Sequence, residues 1–198
     1  MYVDKNIGST STANLDDNRK YRRVELPAPK PDPDVWAQNL KNALDSDPRK
    51  KENYELYLNS QKSHKVDYLP VRMDIENLSR CNFHCTMCQV SGWPKYQRAR
   101  DMTLEEFESL VDQQYGLVDI KLHGMGEPLL GRDVFFNMVK YARAKNIWVR
   151  TTSNGSLFHF HDNYKKLIDS GINEVQISFS DHPSLETING ISSLDSID

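Results

Sequence analysis

The chain has 198 residues, with 25 Lys and Arg against 28 Asp and Glu and a formal net charge of -3, a balance that excludes a nucleic-acid grip driven by bulk positive charge. Its short basic clusters, Arg19 to Arg23 and Arg49 to Lys51, read as solvated surface. No apolar run reaches the ~20 residues of a membrane helix and the N-terminus lacks the apolar stretch of a secretory signal, so we expect a cytoplasmic protein with neither a membrane nor a nucleic-acid partner.

Residues 1-33 are polar, carry Gly8, Ser9, Thr10, Ser11 and Thr12 in succession, and end in Pro27-Ala-Pro29-Lys-Pro31-Asp-Pro33. Such a segment buries too little apolar surface to offset ordering, and it is expected to be disordered or loosely ordered. Residues 34-67 read as a helical extension. A helix from Asp34 has Val35, Trp36, Leu40, Ala43 and Leu44 on its apolar side, and a second follows Pro48 through Tyr54, Leu56, Tyr57 and Leu58. Trp36, Tyr54 and Tyr57 read as packing residues.

From residue 68 to 198 the rhythm becomes strand, loop, helix, repeated. The first strand is Val71 to Glu76, followed by a cysteine-bearing loop and a helix opening at Thr103-Leu-Glu-Glu106, a capping-box signature, with Leu104, Phe107, Leu110 and Val111 on one side. The second strand, Val118 to Leu122, leads through a Gly-rich turn to a helix with Phe135, Met138, Val139 and Ala142 at helical spacing. The third strand, Ile147 to Thr152, precedes a helix carrying Tyr164, Leu167 and Ile168 that stops at Gly171, and the fourth runs from Glu174 to Phe179. Strands separated by single helices imply right-handed crossovers and a parallel sheet.

These strands alternate. Val71, Met73 and Ile75 interleave with Arg72, Asp74 and Glu76; Val118, Ile120 and Leu122 with Asp119, Lys121 and His123; Val175, Ile177 and Phe179 with Glu174, Gln176 and Ser178. A parallel sheet covered on both faces would read as continuous apolar runs. Alternation instead calls for helices on one face and water or a polar ligand on the other. The fold class expected is therefore α/β, an incomplete parallel barrel with about four strands and a hydrated lumen; an open sheet with one solvated face is the plainer alternative.

The chemistry-bearing residues lie at the strand ends, where parallel α/β folds put their sites. The only three cysteines form Cys81-Asn-Phe-His-Cys85-Thr-Met-Cys88. An odd, clustered set reads as a metal site in a reducing compartment rather than as a disulfide framework. Three thiolates leave one position of an iron-sulfur cube or a tetrahedral metal vacant. A zinc knuckle completed by His84 is the structural alternative. After the second strand comes His123-Gly-Met-Gly126-Glu127-Pro128, and after the third Thr151-Thr-Ser153-Asn154-Gly155. Either turn alone is weak evidence, but three successive strand ends each carry a ligand-suited loop. His123 reads mainly as a structural hydrogen-bonding residue, Lys121, Asp74, Glu76 and Arg150 as groups that pair with one another, and His159, His161 and His182 as surface.

From about Leu69 to Ser180 the chain resembles the radical S-adenosylmethionine superfamily, marked by Cys-x3-Cys-x2-Cys after the first strand of a six-strand partial barrel, with Gly-Glu-Pro and Ser-Asn-Gly turns in order. Among its members it looks most like peptide- and protein-modifying ones that usually carry a SPASM domain. The resemblance implies that Cys81, Cys85 and Cys88 hold three irons of a [4Fe-4S] cluster whose fourth iron is chelated by S-adenosylmethionine. It implies cofactor contacts from Met87 to the adenine, from the backbone of the Gly126 and Glu127 turn to the methionyl amino group, from Ser153 and Asn154 near the ribose and carboxylate, and from Ser178 near the nucleoside. The implied activity is reductive cleavage to a 5′-deoxyadenosyl radical that takes hydrogen from a peptide, protein or small-molecule substrate, with a reductant such as flavodoxin or ferredoxin as partner. No protein acid or base is needed for that cleavage.

The sequence stops at Asp198, after about four of the family's six strands and without SPASM cysteines. The expectation is the N-terminal part of a longer enzyme or a truncated frame, forming little 5′-deoxyadenosine alone and self-associating through its fourth strand. Alternative functions are a non-catalytic iron-sulfur or zinc-binding module and a structural remnant.

Overall fold

A computed structural model describes residues 33-61, 64-86, 88-94, 96 and 98-178. The disorder expected of residues 1-33 falls outside them, save for Pro33, which opens helix α1 (Pro33–Ser46). Asp47 then caps α2 (Pro48–Asn59), accepting from the Arg49 N–H at 2.9 Å. Pro48 takes the first helical position, where its missing N–H would have no partner anyway.

The rest alternates strand and helix. In chain order come β1 (Arg72–Ile75), a short α3 (Gln89–Gly92), α4 (Leu104–Gln113), β2 (Asp119–Leu122), α5 (Arg132–Ala144), β3 (Trp148–Ser153), α6 (Asn163–Asp169) and β4 (Glu174–Ile177). The strands form one parallel sheet in the order β1-β2-β3-β4, an α/β fold of the partial (β/α)-barrel type. The capping box at Thr103 is formed as expected: its side chain accepts from Glu106 N, and the Glu106 carboxylate accepts from Thr103 N at 2.9 Å. Gly171 lies just past α6 with φ of +74°, a left-handed conformation that needs no Cβ. No helix among the described residues is long and apolar enough to cross a membrane.

On β1 to β3 the alternation has the expected cause, whereas on β4 Ile177, expected on the helix-facing side, is 43% exposed. Ile75, Ile120, Leu122 and Val149 project from one face into a core with Phe107 and Val111 of α4 and Phe135, Met138, Val139 and Ala142 of α5. Each large apolar side chain so buried contributes about 1.5–3 kcal/mol. The far face carries the polar residues in register rows, Arg72–Asp119–Trp148 nearest the strand starts and Asp74–Lys121–Arg150–Glu174 above them.

Helices α1 and α2 cover the strand starts. Ala43 packs with Val71 and Val118, joined by Trp36, Leu40, Leu44 and Tyr54. Trp36 meets Trp148 edge-on, 5.3 Å between ring centroids, and the Arg72 guanidinium lies over the Trp36 ring, so the polar face has an aromatic floor. Several residues expected on apolar sides point outward instead: Val35, Leu56 and Leu58 on this pair, and Tyr164 and Ile168 on α6, with Ile168 75 % exposed. The buried residues of α2 are polar, Lys50 and Asn53. Asn53 donates to Leu69 O at 3.1 Å and accepts from Leu69 N at 2.7 Å, satisfying an isolated loop backbone much as a strand would.

Candidate functional site

The loop after β1 carries the cysteines. Cys88 N donates to Cys85 O, Ser91 N to Cys88 O (both 3.1 Å), and Ser91 Oγ to Cys85 O at 2.9 Å, so α3 closes the loop that holds the last two thiols. The sequence reading missed this helix, which spans only four residues. All three thiols are free and half-buried. Burial pushes the Cys81 thiol up, partly offset by the Phe83 N–H, which donates to its sulfur at 3.4 Å. His84 is exposed. Met87 lies outside the described residues.

Two contacts bind this loop to the turn after β2. Arg80 donates to Leu130 O at 2.7 Å while pairing with Asp101, and Glu127 N donates to Arg80 O at 2.9 Å. The turn is packed so closely that a Cβ on Gly126 would stand 2.5 Å from Arg80 O and 2.6 Å from Leu78 O, which is why glycine is required there. The Glu76 carboxylate accepts from Met125 N at 2.7 Å.

Glu127 joins the third loop to the other two. It is 2 % exposed, and its carboxylate accepts from Ser153 Oγ and Asn154 N (both 2.8 Å) and from Leu129 N (3.3 Å). Burial raises its pKa despite these three donors. A buried carboxylate with this many partners is a brace between strand ends. Sequence reasoning gave Glu127 only a backbone role; the Ser153 and Asn154 contacts lie 26 and 27 residues away, beyond any local pattern.

Beside Cys81 sits a second knot of hydrogen bonds, also unforeseen. Asn154 Nδ2 donates to Asn82 Oδ1 at 3.0 Å and stands 4.0 Å from the Cys81 sulfur. Asn82 Nδ2 donates to Ser156 Oγ, which donates to Asn154 Oδ1. Ser178 N donates to Ser153 O at 2.9 Å, bringing the end of β4 to the same turn. Gly126, Glu127, Ser153, Asn154 and Ser178 are thus within one connected region with Cys81.

Against known proteins, the description Radical SAM superfamily matches residues 78-185, more than half of the chain. The chain belongs to the radical SAM superfamily. It is 31% identical over 101 residues to the GTP 3',8-cyclase of Shewanella denitrificans, a stretch covering 50% of this chain and 29% of that relative, so it spans well under half of the cyclase's length. Among solved structures it is similar to BtrN in complex with AdoMet and 2-DOIA (20% identity, TM-score 0.46, 67% of this chain and 54% of that one). It is also similar to Streptococcus suis SuiB bound to S-adenosylmethionine (19% identity, TM-score 0.47, 72% and 34%). At these values neither structural likeness bears on function.

Radical SAM proteins are enzymes whose cofactors are a [4Fe-4S] cluster and S-adenosylmethionine. The donor set of this chain suits such a cluster: three uncombined thiols on one loop, with backbone and amide N–H groups around the Cys81 sulfur. Among the described residues, no three or more His, Cys, Asp or Glu side chains stand close enough together to hold a metal ion. The thiols share a loop but are not gathered on a common centre.

Lys121, Asp74, Glu76 and Arg150, expected to pair with one another, do not do so among the described residues. Arg150 and Arg72 both reach Asp119 Oδ2, at 3.1 and 3.5 Å. Glu76 serves the Met125 N–H, and Lys121 pairs with none of them. His159 and His161 are exposed, as expected, and His182 lies outside the described residues.

Proposed function

We propose that this chain is the cofactor-binding core of a radical SAM enzyme, with Cys81, Cys85 and Cys88 as ligands to three irons of a [4Fe-4S] cluster. The observation that carries the reading is the cross-bonding of three successive strand-end loops through Glu127 and Asn154. When bound, the cluster and S-adenosylmethionine supply a one-electron cleavage of the sulfonium to a 5′-deoxyadenosyl radical able to take hydrogen from a peptide, protein or small-molecule substrate.

The chain's own residues bind and orient. The closely packed turn at Gly126 and Glu127 would offer backbone to the methionyl group, Ser153 and Asn154 would serve the ribose and carboxylate, and Ser178 the nucleoside, while the family resemblance alone assigns Met87 to the adenine. Glu127 acts at one remove, holding the turns in place through its buried carboxylate. The aromatic floor and the core-packed helices keep water from one end and one side of the lumen, an aid to so reactive a species. A low-potential reductant such as flavodoxin or ferredoxin supplies the electron.

The test is anaerobic reconstitution with iron and sulfide of the wild type and of each Cys→Ala variant, followed by electron paramagnetic resonance of the reduced protein. The wild type is expected to hold one cluster whose spectrum changes on adding S-adenosylmethionine, with a weaker change in Asn154→Ala. A cubane cluster fully retained in any single Cys→Ala variant, or a spectrum indifferent to the cofactor in folded protein, would sink the proposal, the second result favouring a non-catalytic metal-binding module.

A further inference from the structure

The lumen face sorts its charges by strand. On the inner strands β2 and β3 it presents Lys121, His123 and Arg150 against a single acid, Asp119, which Arg150 shares with Arg72. The acids Asp74, Glu76 and Glu174 stand on the outer strands β1 and β4 or at their ends. Glu76 is taken up by the Met125 N–H and Glu174 accepts from Gln176.

Lys121, like Asp74 and His123, stands outside this pairing among the described residues. It lies mid-strand on β2, half-buried, with Asp74 and Arg150 as register neighbours. Yet it makes no hydrogen bond and no ion pair among the described residues, and its nearest acid in register, Asp74, is exposed and beyond ion-pair distance. The ammonium keeps contact with water, so its three N–H donors stand open to an incoming acceptor. His123 follows two residues on, on the same face. Burial and the positive charge of Lys121 depress its pKa, with Asp74, Arg150 and Glu76 acting on it more weakly.

We propose that Lys121, flanked by His123 and Arg150, is the lumen's anchor for an anionic group of the substrate, a carboxylate or a phosphate. This names the substrate chemistry of the proposed enzyme and rests on that reading. The anion would lie on the polar face of the sheet, in the row of Asp74, Lys121 and Arg150. Lys121 supplies the charge, and His123 and Arg150, the latter already bonded to Asp119, add to the positive field around it.

The experiment uses the full chain with its cluster reconstituted. The titration midpoint of His123 is read from its ring-proton resonance, identified with His123→Gln, in inorganic phosphate, in glutarate, and in sodium chloride of equal ionic strength. An anion seated on Lys121 stabilises the imidazolium, so the midpoint is expected to rise saturably by about half a unit or more beyond the chloride control. A response to phosphate alone assigns a phosphate, and a response to glutarate alone a carboxylate. Lys121→Met is expected to weaken the anion about tenfold, and Lys121→Arg to retain it. A wild-type midpoint that neither anion moves beyond the control overturns the inference, as does a folded Lys121→Met protein that responds like the wild type. The cofactor-dependent paramagnetic signal is measured on the same samples: its persistence without an anion response removes only the anchor, whereas its absence removes the proposed function itself.

Discussion

Replacing Glu127 by Ala would remove the acceptor for three donors at once. Ser153 Oγ can turn to another partner, but the N–H groups of Asn154 and Leu129 would be left in a region where Glu127 itself is 2 % exposed. At about 1–3 kcal/mol for each stranded donor, with some cavity cost added, the loss should come to about 3–6 kcal/mol. That is a large part of the ~5–15 kcal/mol by which a domain is usually stable. Glu127→Gln keeps the volume. Its amide oxygen can accept from Asn154 N and its NH2 can donate to Ser153 Oγ, leaving chiefly Leu129 N, so about 1–2 kcal/mol is expected. The pH dependence has a defined sign. Because the folded-state pKa is raised above 4.5, the extra proton affinity of the folded wild type stabilises it below that value and the benefit fades as pH rises through the raised midpoint. The Gln variant, which does not titrate, should therefore compare worst near pH 5 and better near about pH 8. Urea unfolding followed by the fluorescence of Trp36 and Trp148 measures both. An Ala variant within about 1 kcal/mol of wild type would refute the view that this carboxylate holds the loops together.

Two further substitutions probe the site's frame and the helix pair. Gly126→Ala would set a Cβ 2.5 Å from Arg80 O, and since that contact is with backbone the turn must move away from the cysteine loop; a loss of about 1–3 kcal/mol is expected in urea unfolding, and no loss would mean that the two loops are not in fixed contact. Lys50, 5 % exposed, has its pKa lowered by burial to about 8, while the unfolded chain keeps that proton up to about 10.5. Wild-type stability relative to Lys50→Met should thus rise between those values, by about 1–3 kcal/mol after allowing for partial solvent screening, and a difference that stays flat with pH would refute the burial.

What the sequence made legible was what periodicity and local chemistry control. The alternation of Val118 to His123 reported which face meets helices, and Phe135, Met138, Val139 and Ala142, all 0% exposed, were found from helical spacing alone. The Thr103 capping box and the Gly171 stop are contained within a few residues, so they too could be read. Burial on α6 and α2 could not. Tyr164 and Ile168 have apolar side chains at helical spacing, but α6 is seven residues long and buries only Asn163 and Leu167, because Leu167 alone on its apolar side meets the main core. On α2 the partners of Lys50 and Asn53 are backbone carbonyls of distant loops, at Lys145 and Leu69, and nothing in the local pattern marks a lysine or an asparagine for burial. In the candidate site the cysteines and both turns announced themselves by spacing. The knot of Asn82, Asn154 and Ser156 did not, since it joins residues 72 and 74 apart by contacts that exist only once β1 and β3 flank β2.

The clasp between the helix pair and the far end of α5 orders events during synthesis. Asn39 Nδ2 reaches Asn146 O and Lys50 Nζ reaches Lys145 O, across 107 and 95 residues of chain. Both polar side chains leave the ribosome long before their acceptors exist, and until then burying either would strand its donors without a partner. Helices α1 and α2 should therefore complete their final seat only once residues 145 and 146 are available. The packing of Ala43 on Val71 and Val118 can form earlier, and the edge contact of Trp36 with Trp148 only once β3 is made. A nascent chain halted before residue 145 should leave Lys50 open to amine-directed labels, and one extended past β3 should protect it.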